Sequence, residues 1–155
     1  MRRPLFLAFA IAFFCSPVAA GESAHSQALD DLIARYAEMH GIPARLVHRV
    51  IVRESGYNAH VVHRSFYGLM QITYQSARSM GYRGEPSGLL DPEVNLTYGV
   101  PYLANAYRAA GGNEAGAVRL YSSGYYYVAK RKHLLGVMRT AGSPSLATAP
   151  AAAAH

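Results

Sequence analysis

The stretch Val47-His48-Arg49-Val50-Ile51-Val52-Arg53-Glu54-Ser55-Gly56 decides how the chain is read. Val47, Val50, Ile51 and Glu54 recur at i, i+3, i+4 and i+7, which places them on one face of an α-helix. Three members of that face are aliphatic and the fourth is a carboxylic acid. A carboxylate taken from water without a partner is costly, so burial favours its neutral form and raises its pKa. Gly56 reads as the residue just past the helix end. Glu54 then lies in the last turn, where the negative end of the helix dipole disfavours its ionised form further. A carboxyl kept protonated near neutral pH is what a general acid requires. Spacing alone is equally compatible with an exposed glutamate fraying off a helix end, with Ser55 and Gly56 as turn residues.

Working outward, Gln27 to His40 reads as a helix with Leu29, Leu32, Ile33 and Tyr36 as its buried stripe, closed by Gly41. Pro43 opens the Glu54 helix at a position where proline is tolerated. Tyr57 to Tyr67 shows no sustained period and reads as a loop. Its His60 and His63 lack a third ligand at a recognised spacing, so neither a metal nor another cofactor is expected. Gly68-Leu69-Met70-Gln71-Ile72-Thr73 follows, with Thr73 as N-cap of a short helix to Met80.

Asp91-Pro92 is a strong helix start, and that helix should run to about Ala110. Pro101 inside it predicts a kink or a break, because an interior proline removes a backbone hydrogen bond at a typical cost of ~3 kcal/mol. Asn113 caps a helix over Glu114 to Ser123, with Ala117, Val118 and Tyr121 facing inward. A last helix is predicted over Tyr127 to Arg139, with Lys130, Arg131 and Lys132 on its surface. No internal repeat and no alternating strand pattern is evident. The predicted fold is mainly α, a single domain.

The ends carry different signals. Residues 1–20 have a basic start at Arg2 and Arg3, an apolar run from Leu5 to Phe14, and a small-residue cleavage site at Val18-Ala19-Ala20. They read as a signal peptide cleaved after Ala20, with an uncleaved anchor as the alternative. The expected location is the periplasm or cell envelope of a bacterium. The single cysteine, Cys15, falls inside that leader, so the mature chain relies on neither disulfides nor cysteine ligands. Removing Arg2 and Arg3 from the 15 Lys+Arg leaves 13 against 9 Asp+Glu, a net +4. That balance suits an anionic neighbour such as an envelope polymer; no motif supports nucleic-acid binding. Residues 141–155 are mostly Ala, Pro, Ser and Thr and read as a disordered tail, which leaves 21–140 as the folded domain.

Glu54-Ser55-Gly56, Gly68-Leu69-Met70-Gln71 and Leu120-Tyr121-Ser122-Ser123-Gly124 occur in a characteristic order, with Asn-Leu-x-x-Gly-x-x-Tyr-Leu at Asn95 to Leu103 between the last two. In this combination the chain resembles the soluble lytic transglycosylase (SLT) domain, family 1 of the lytic transglycosylases, over about Gln27 to Arg139. The resemblance implies a goose-lysozyme-like fold, with Glu54 as sole catalytic acid/base. It implies that Ser55 orients substrate or the acid, and that Gly68 lets backbone approach the sugar. Met70 and Gln71 would line the saccharide cleft, and Tyr121 would hold the Glu54 carboxyl. The family's third motif usually reads Ala-Tyr-Asn-x-Gly; here Ser122, shorter but still able to hydrogen-bond, replaces the Asn. Pro101 is a second departure.

The implied substrate is the glycan strand of peptidoglycan, cut by a monomer without metal or cofactor. Glu54 would protonate the bond between N-acetylmuramic acid and N-acetylglucosamine, then deprotonate the muramoyl C6 hydroxyl to close a 1,6-anhydro ring. The competing readings are a lysozyme-like hydrolase on the same fold and a catalytically dead peptidoglycan-binding module. A secretion or conjugation apparatus of the envelope is a further expected partner.

Overall fold

The computed structural model describes residues 20–146, with side chains from residue 27 onward. The expected leader therefore lies outside the described residues, apart from Ala20, as do residues 147–155 of the expected tail. Helix α1 spans Ala20–His40. It starts ahead of the predicted Gln27, because the stretch before it is polar but contains no proline to stop a helix. Ile33 and Tyr36 are buried, and Leu29 and Leu32 pack against the core, as the stripe requires. Gly41 ends the helix at φ +67°, and the Ile42 N–H donates to Ala37 O at 3.0 Å, the bond of a Schellman cap.

Helix α2, Ala44–Glu54, buries Leu46, Val47, Val50 and Ile51. Each such aliphatic side chain contributes about 1.5–3 kcal/mol on burial, so this face fixes the helix on the core. Gly56, at φ +56°, donates to Ile51 O at 3.0 Å and closes it. The segment read as a loop then forms a small antiparallel sheet. Its strands are β1 Val62–His63, β2 Phe66–Tyr67 and β3 Ile72–Thr73, in the order β1-β2-β3. Phe66 faces His63 on one side and Thr73 on the other. Two-residue strands are too short to show an alternating pattern, which is why periodicity missed them.

Helix α3, Tyr74–Ser79, starts from Thr73, whose Oγ1 accepts from the Ser76 N–H at 3.0 Å. A 3₁₀ turn at Pro86–Leu90 leads to α4, Pro92–Ala109, where Asp91 accepts from the Val94 N–H at 2.9 Å. Helix α4 packs against α1 and against α5, Glu114–Ser123, which Asn113 caps through the Gly116 N–H. The break considered at Pro101 does not occur: α4 runs on through it. Val100, Pro101, Leu103 and Ala104 are all buried, and that packing outweighs one lost hydrogen bond.

The final helix is shorter than predicted. Helix α6 covers Tyr126–Arg131, and a 3₁₀ turn follows at Leu135–Val137. His133, at φ 55°, has left the helical region and ends the run. The buried Asn105 of α4 then pins the chain, accepting from Arg139 N at 2.8 Å and donating to Arg139 O at 2.9 Å. Residues 141–146, which composition assigned to the disordered tail, lie against the body. Ala141 N donates to Met80 O at 3.0 Å, Leu146 N donates to Met39 O at 2.9 Å, and the Arg139 guanidinium donates to Pro144 O. Backbone bonds hold this segment, and composition does not report them.

Candidate active site

Glu54 is the last residue of α2, and its side chain is 24% exposed. It opens into a cavity of about 640 Å³ that α2 walls through Arg53, the sheet through His63 and Phe66, and α5 through Tyr121 and Ser122. A second hollow of about 250 Å³ shares Phe66, Gln71, Tyr121 and Ser122 with the first and reaches Thr73, Tyr102 and Gly124. The two make one groove passing beside Glu54. Among the described residues that line it, Glu54 is the one carboxylate.

Burial raises the Glu54 pKa above the ordinary 4.5. The Arg53 guanidinium, with Nε 3.7 Å from Oε1, and the Ser122 hydroxyl both pull it back, but burial prevails. Ser122 Oγ donates a long bond of 3.3 Å to Val118 O, and its one proton serves either that carbonyl or Glu54.

The segment Gly68 to Gln71, which meets the groove at Gln71, is fixed through its backbone by four side chains. Ser55 Oγ donates to Leu69 O at 2.7 Å, with a weaker 3.2 Å bond to Ile51 O. Tyr121 donates to Met70 O at 2.8 Å. Asn95, fully buried in α4, accepts from Met70 N at 2.8 Å and donates to Tyr67 O and Leu89 O, each at 2.8 Å. Gln71 Nε2 donates to Gly68 O at 2.9 Å and to Val61 O at 3.0 Å. Tyr102 meets the Tyr121 ring edge-on at 5.4 Å between centroids. Burial, then the nearby Glu54 and Tyr102, push the Tyr121 phenol well above its usual range, so it stays protonated and remains a donor.

The structure thus brings Glu54, Gln71, Tyr121 and Ser122 together around the groove. It places the other predicted residues differently. Ser55 does not line the groove; it ties the end of α2 to Leu69. Met70 is fully buried, its sulfur against Gly99, and contributes its backbone rather than its side chain. Gly68, at φ +68°, is needed because a Cβ would run into Leu89 O and the Asn95 amide, 2.5 Å from Nδ2, not because it nears the groove. Tyr121 meets Met70 O, not the Glu54 carboxyl.

Arg53, Val62, His63 and Phe66 line the groove without having been singled out for it. Phe66-Tyr67 facing Ile72-Thr73 across Gly68, aromatic against β-branched, is the signal that marks their sheet. Among the described residues no group of three or more His, Cys, Asp or Glu is placed to hold a metal.

A mainly helical, lysozyme-like domain with one acid at the end of a core helix, set in a groove beside a small sheet, is the class that these features define. Within that class the chain belongs to the transglycosylase SLT domain family, whose model matches residues 31–136. It is 37% identical over 82 residues to the membrane-bound lytic murein transglycosylase C of Edwardsiella ictaluri, covering 48% of this chain and 23% of that protein. It is 42% identical over 72 residues to the endo-type membrane-bound lytic murein transglycosylase A of Cronobacter sakazakii, covering 41% of this chain and 36% of that protein. The match therefore spans well under half the length of either relative. No described helix is long and apolar enough to cross a membrane.

Proposed function

We propose that the chain is a peptidoglycan lytic transglycosylase with Glu54 as its sole acid/base. The observation that carries this reading is one carboxyl, raised in pKa by burial, facing a groove lined among the described residues by no second Asp or Glu. Retaining and inverting glycosidases ordinarily need a pair of carboxylates, whereas substrate-assisted enzymes dispense with the second. The murein-cleaving relatives and the shared family support the same substrate class.

In the proposed reaction Glu54 donates its proton to the oxygen of the β-1,4 bond between N-acetylmuramic acid and N-acetylglucosamine. The bond from that oxygen to muramoyl C1 breaks, and the substrate's own acetamido oxygen stabilises C1. The Glu54 carboxylate then takes the C6 hydroxyl proton, O6 bonds to C1, and a 1,6-anhydromuramoyl end forms while Glu54 is protonated again. The chain's own part is acidity at Glu54, an acceptor at Gln71 Oε1 left by the two Nε2 bonds, and a Gly68 to Gln71 segment fixed by Ser55, Asn95 and Tyr121. The leader read at residues 1–20 and the membrane-bound relatives support a place in a bacterial cell envelope.

Mass spectrometry of muropeptides released from purified peptidoglycan by residues 21–155, beside Glu54→Gln, tests the proposal. Anhydro-muropeptides that vanish in the variant are expected. Reducing-end products would make it a hydrolase, and wall binding without products would make it a binding module.

A further inference from the structure

Arg45, Arg49 and Arg53 follow one another at intervals of four along α2, and all three are exposed. Four residues rise ~6 Å along a helix, so the guanidinium stripe extends roughly 12 Å on one face. The helix by itself favours Arg53, in its last turn, but neither Arg45 nor Arg49. Like charges at i and i+4 repel, and a cation in the first turn, where Arg45 sits, opposes the helix dipole. Helix α2 has no acidic residue in its first turn, and Glu54 is its one carboxylate. Arg45 is held by Glu114 at 2.6 Å and Arg53 lies 3.7 Å from Glu54, while Arg49 has no ion pair among the described residues. The stripe also ends at the chemistry, because Arg53 lines the groove beside Glu54.

We propose that this stripe binds the carboxylates of the peptide stems borne by a glycan strand seated in the groove, so that strands with ionised stems are preferred over strands whose stem carboxylates are neutralised. The inference rests on the glycan-cleaving reading above and names what selects the substrate there. A polymer leaving the groove past Arg53 meets Arg49 next, and stems carry free carboxylates spaced along it. A membrane surface fits less well, because the exposed large apolar side chain that α2 offers for insertion is Val52 alone.

The test compares initial rates on soluble glycan strands with free stem carboxylates and on the same strands with those carboxylates amidated, for the wild-type chain, Arg49→Glu and Arg49→Lys. Arg49→Glu is expected to raise KM on strands with free stem carboxylates about two- to fivefold, the effect of an exposed ion pair, with kcat little changed. The ratio of KM between the two substrates should fall toward one in Arg49→Glu, hold in Arg49→Lys, and fall for wild type at high salt. An unchanged ratio in Arg49→Glu, with both strands cut, overturns the stripe while leaving the transglycosylase reading intact. Wild type cutting neither strand overturns that reading and this inference with it. Phosphatidylglycerol vesicles sedimented with each protein complete the test: binding lost in Arg49→Glu with an unchanged KM ratio assigns the charge to lipid and overturns the proposal.

Discussion

The Tyr121 hydroxyl donates to the Met70 carbonyl at 2.8 Å, joining α5 to the Gly68 to Gln71 segment by a buried bond that bypasses Glu54. Tyr121 therefore holds the buried segment that carries Gln71 into the groove, and its hydroxyl is not spent on the Glu54 carboxyl.

Tyr121→Phe should strand a buried carbonyl while keeping the ring in place. The expected loss is about 1–3 kcal/mol of stability, read as a lower urea midpoint with an unchanged slope. Activity should fall with the displaced segment, but the pH midpoint assigned to Glu54 should hardly move. A midpoint shifted by a full unit would show that the phenol bonds the carboxyl in solution.

Glu54 lies in the cavity at a cost to the fold. Its folded pKa is raised above 4.5, so between those two values the native state holds more proton than the unfolded chain. Stability then falls as pH rises through that window, and Glu54 remains destabilising above it. Glu54→Gln should melt higher than wild type at pH 7, with the gap closing below about pH 4.5, and it should abolish activity. For wild type, the alkaline limb of the rate profile should lie above the usual carboxylate range, since the reaction starts from the protonated acid. Thermal scans across pH check the first expectation and the rate profile the second.

How much of this was legible in the sequence follows from what each signal measures. The face Val47, Val50, Ile51 and Glu54 predicted three buried aliphatics with a partly buried acid, and the caps at Thr73, Asp91 and Asn113 fell where their side chains allow. Local signals report local structure. Met70 shows the limit: its place in a motif suggested the cleft, yet a core position opposite Gly99 was available and an apolar side chain took it. Ser55 and Gly68 are likewise explained by Leu69 O, Leu89 O and Asn95, partners 14 to 27 positions away that no spacing rule connects. The sheet escaped because its strands are two residues long, and the 141–146 segment because backbone bonds leave no trace in composition.

His40 gives a second pH dependence of opposite sign. It is buried beside Arg139, whose Nε lies 3.4 Å from Nδ1, and burial, then that charge, lower its pKa from 6.5 to about 4. The unfolded chain binds the proton first, so stability present above pH 6.5 is lost as pH falls toward 4, by at most ~3 kcal/mol. His40→Gln should flatten that slope. Melting temperatures from pH 7 to 4 for the two proteins check it, and parallel curves would show that His40 titrates normally.

Asn95 and Gly68 compete for one space, so each depends on the other. Asn95 satisfies Met70 N, Tyr67 O and Leu89 O at once, and it fits because Gly68 has no Cβ. Gly68→Ala adds an atom against the amide and asks an L-residue to hold φ +68°, which costs roughly 1–2 kcal/mol before any clash. Asn95→Ala takes this partner from the buried Met70 N and Leu89 O and the half-buried Tyr67 O, a loss of about 3 kcal/mol. Because each change damages the same contact, the double variant should be less destabilised than the two single losses added together. A double-mutant cycle in urea measures that coupling directly. Additive losses would mean that Gly68 is required for its backbone angle alone, and that the Gly68 to Gln71 segment does not depend on how closely Asn95 approaches it.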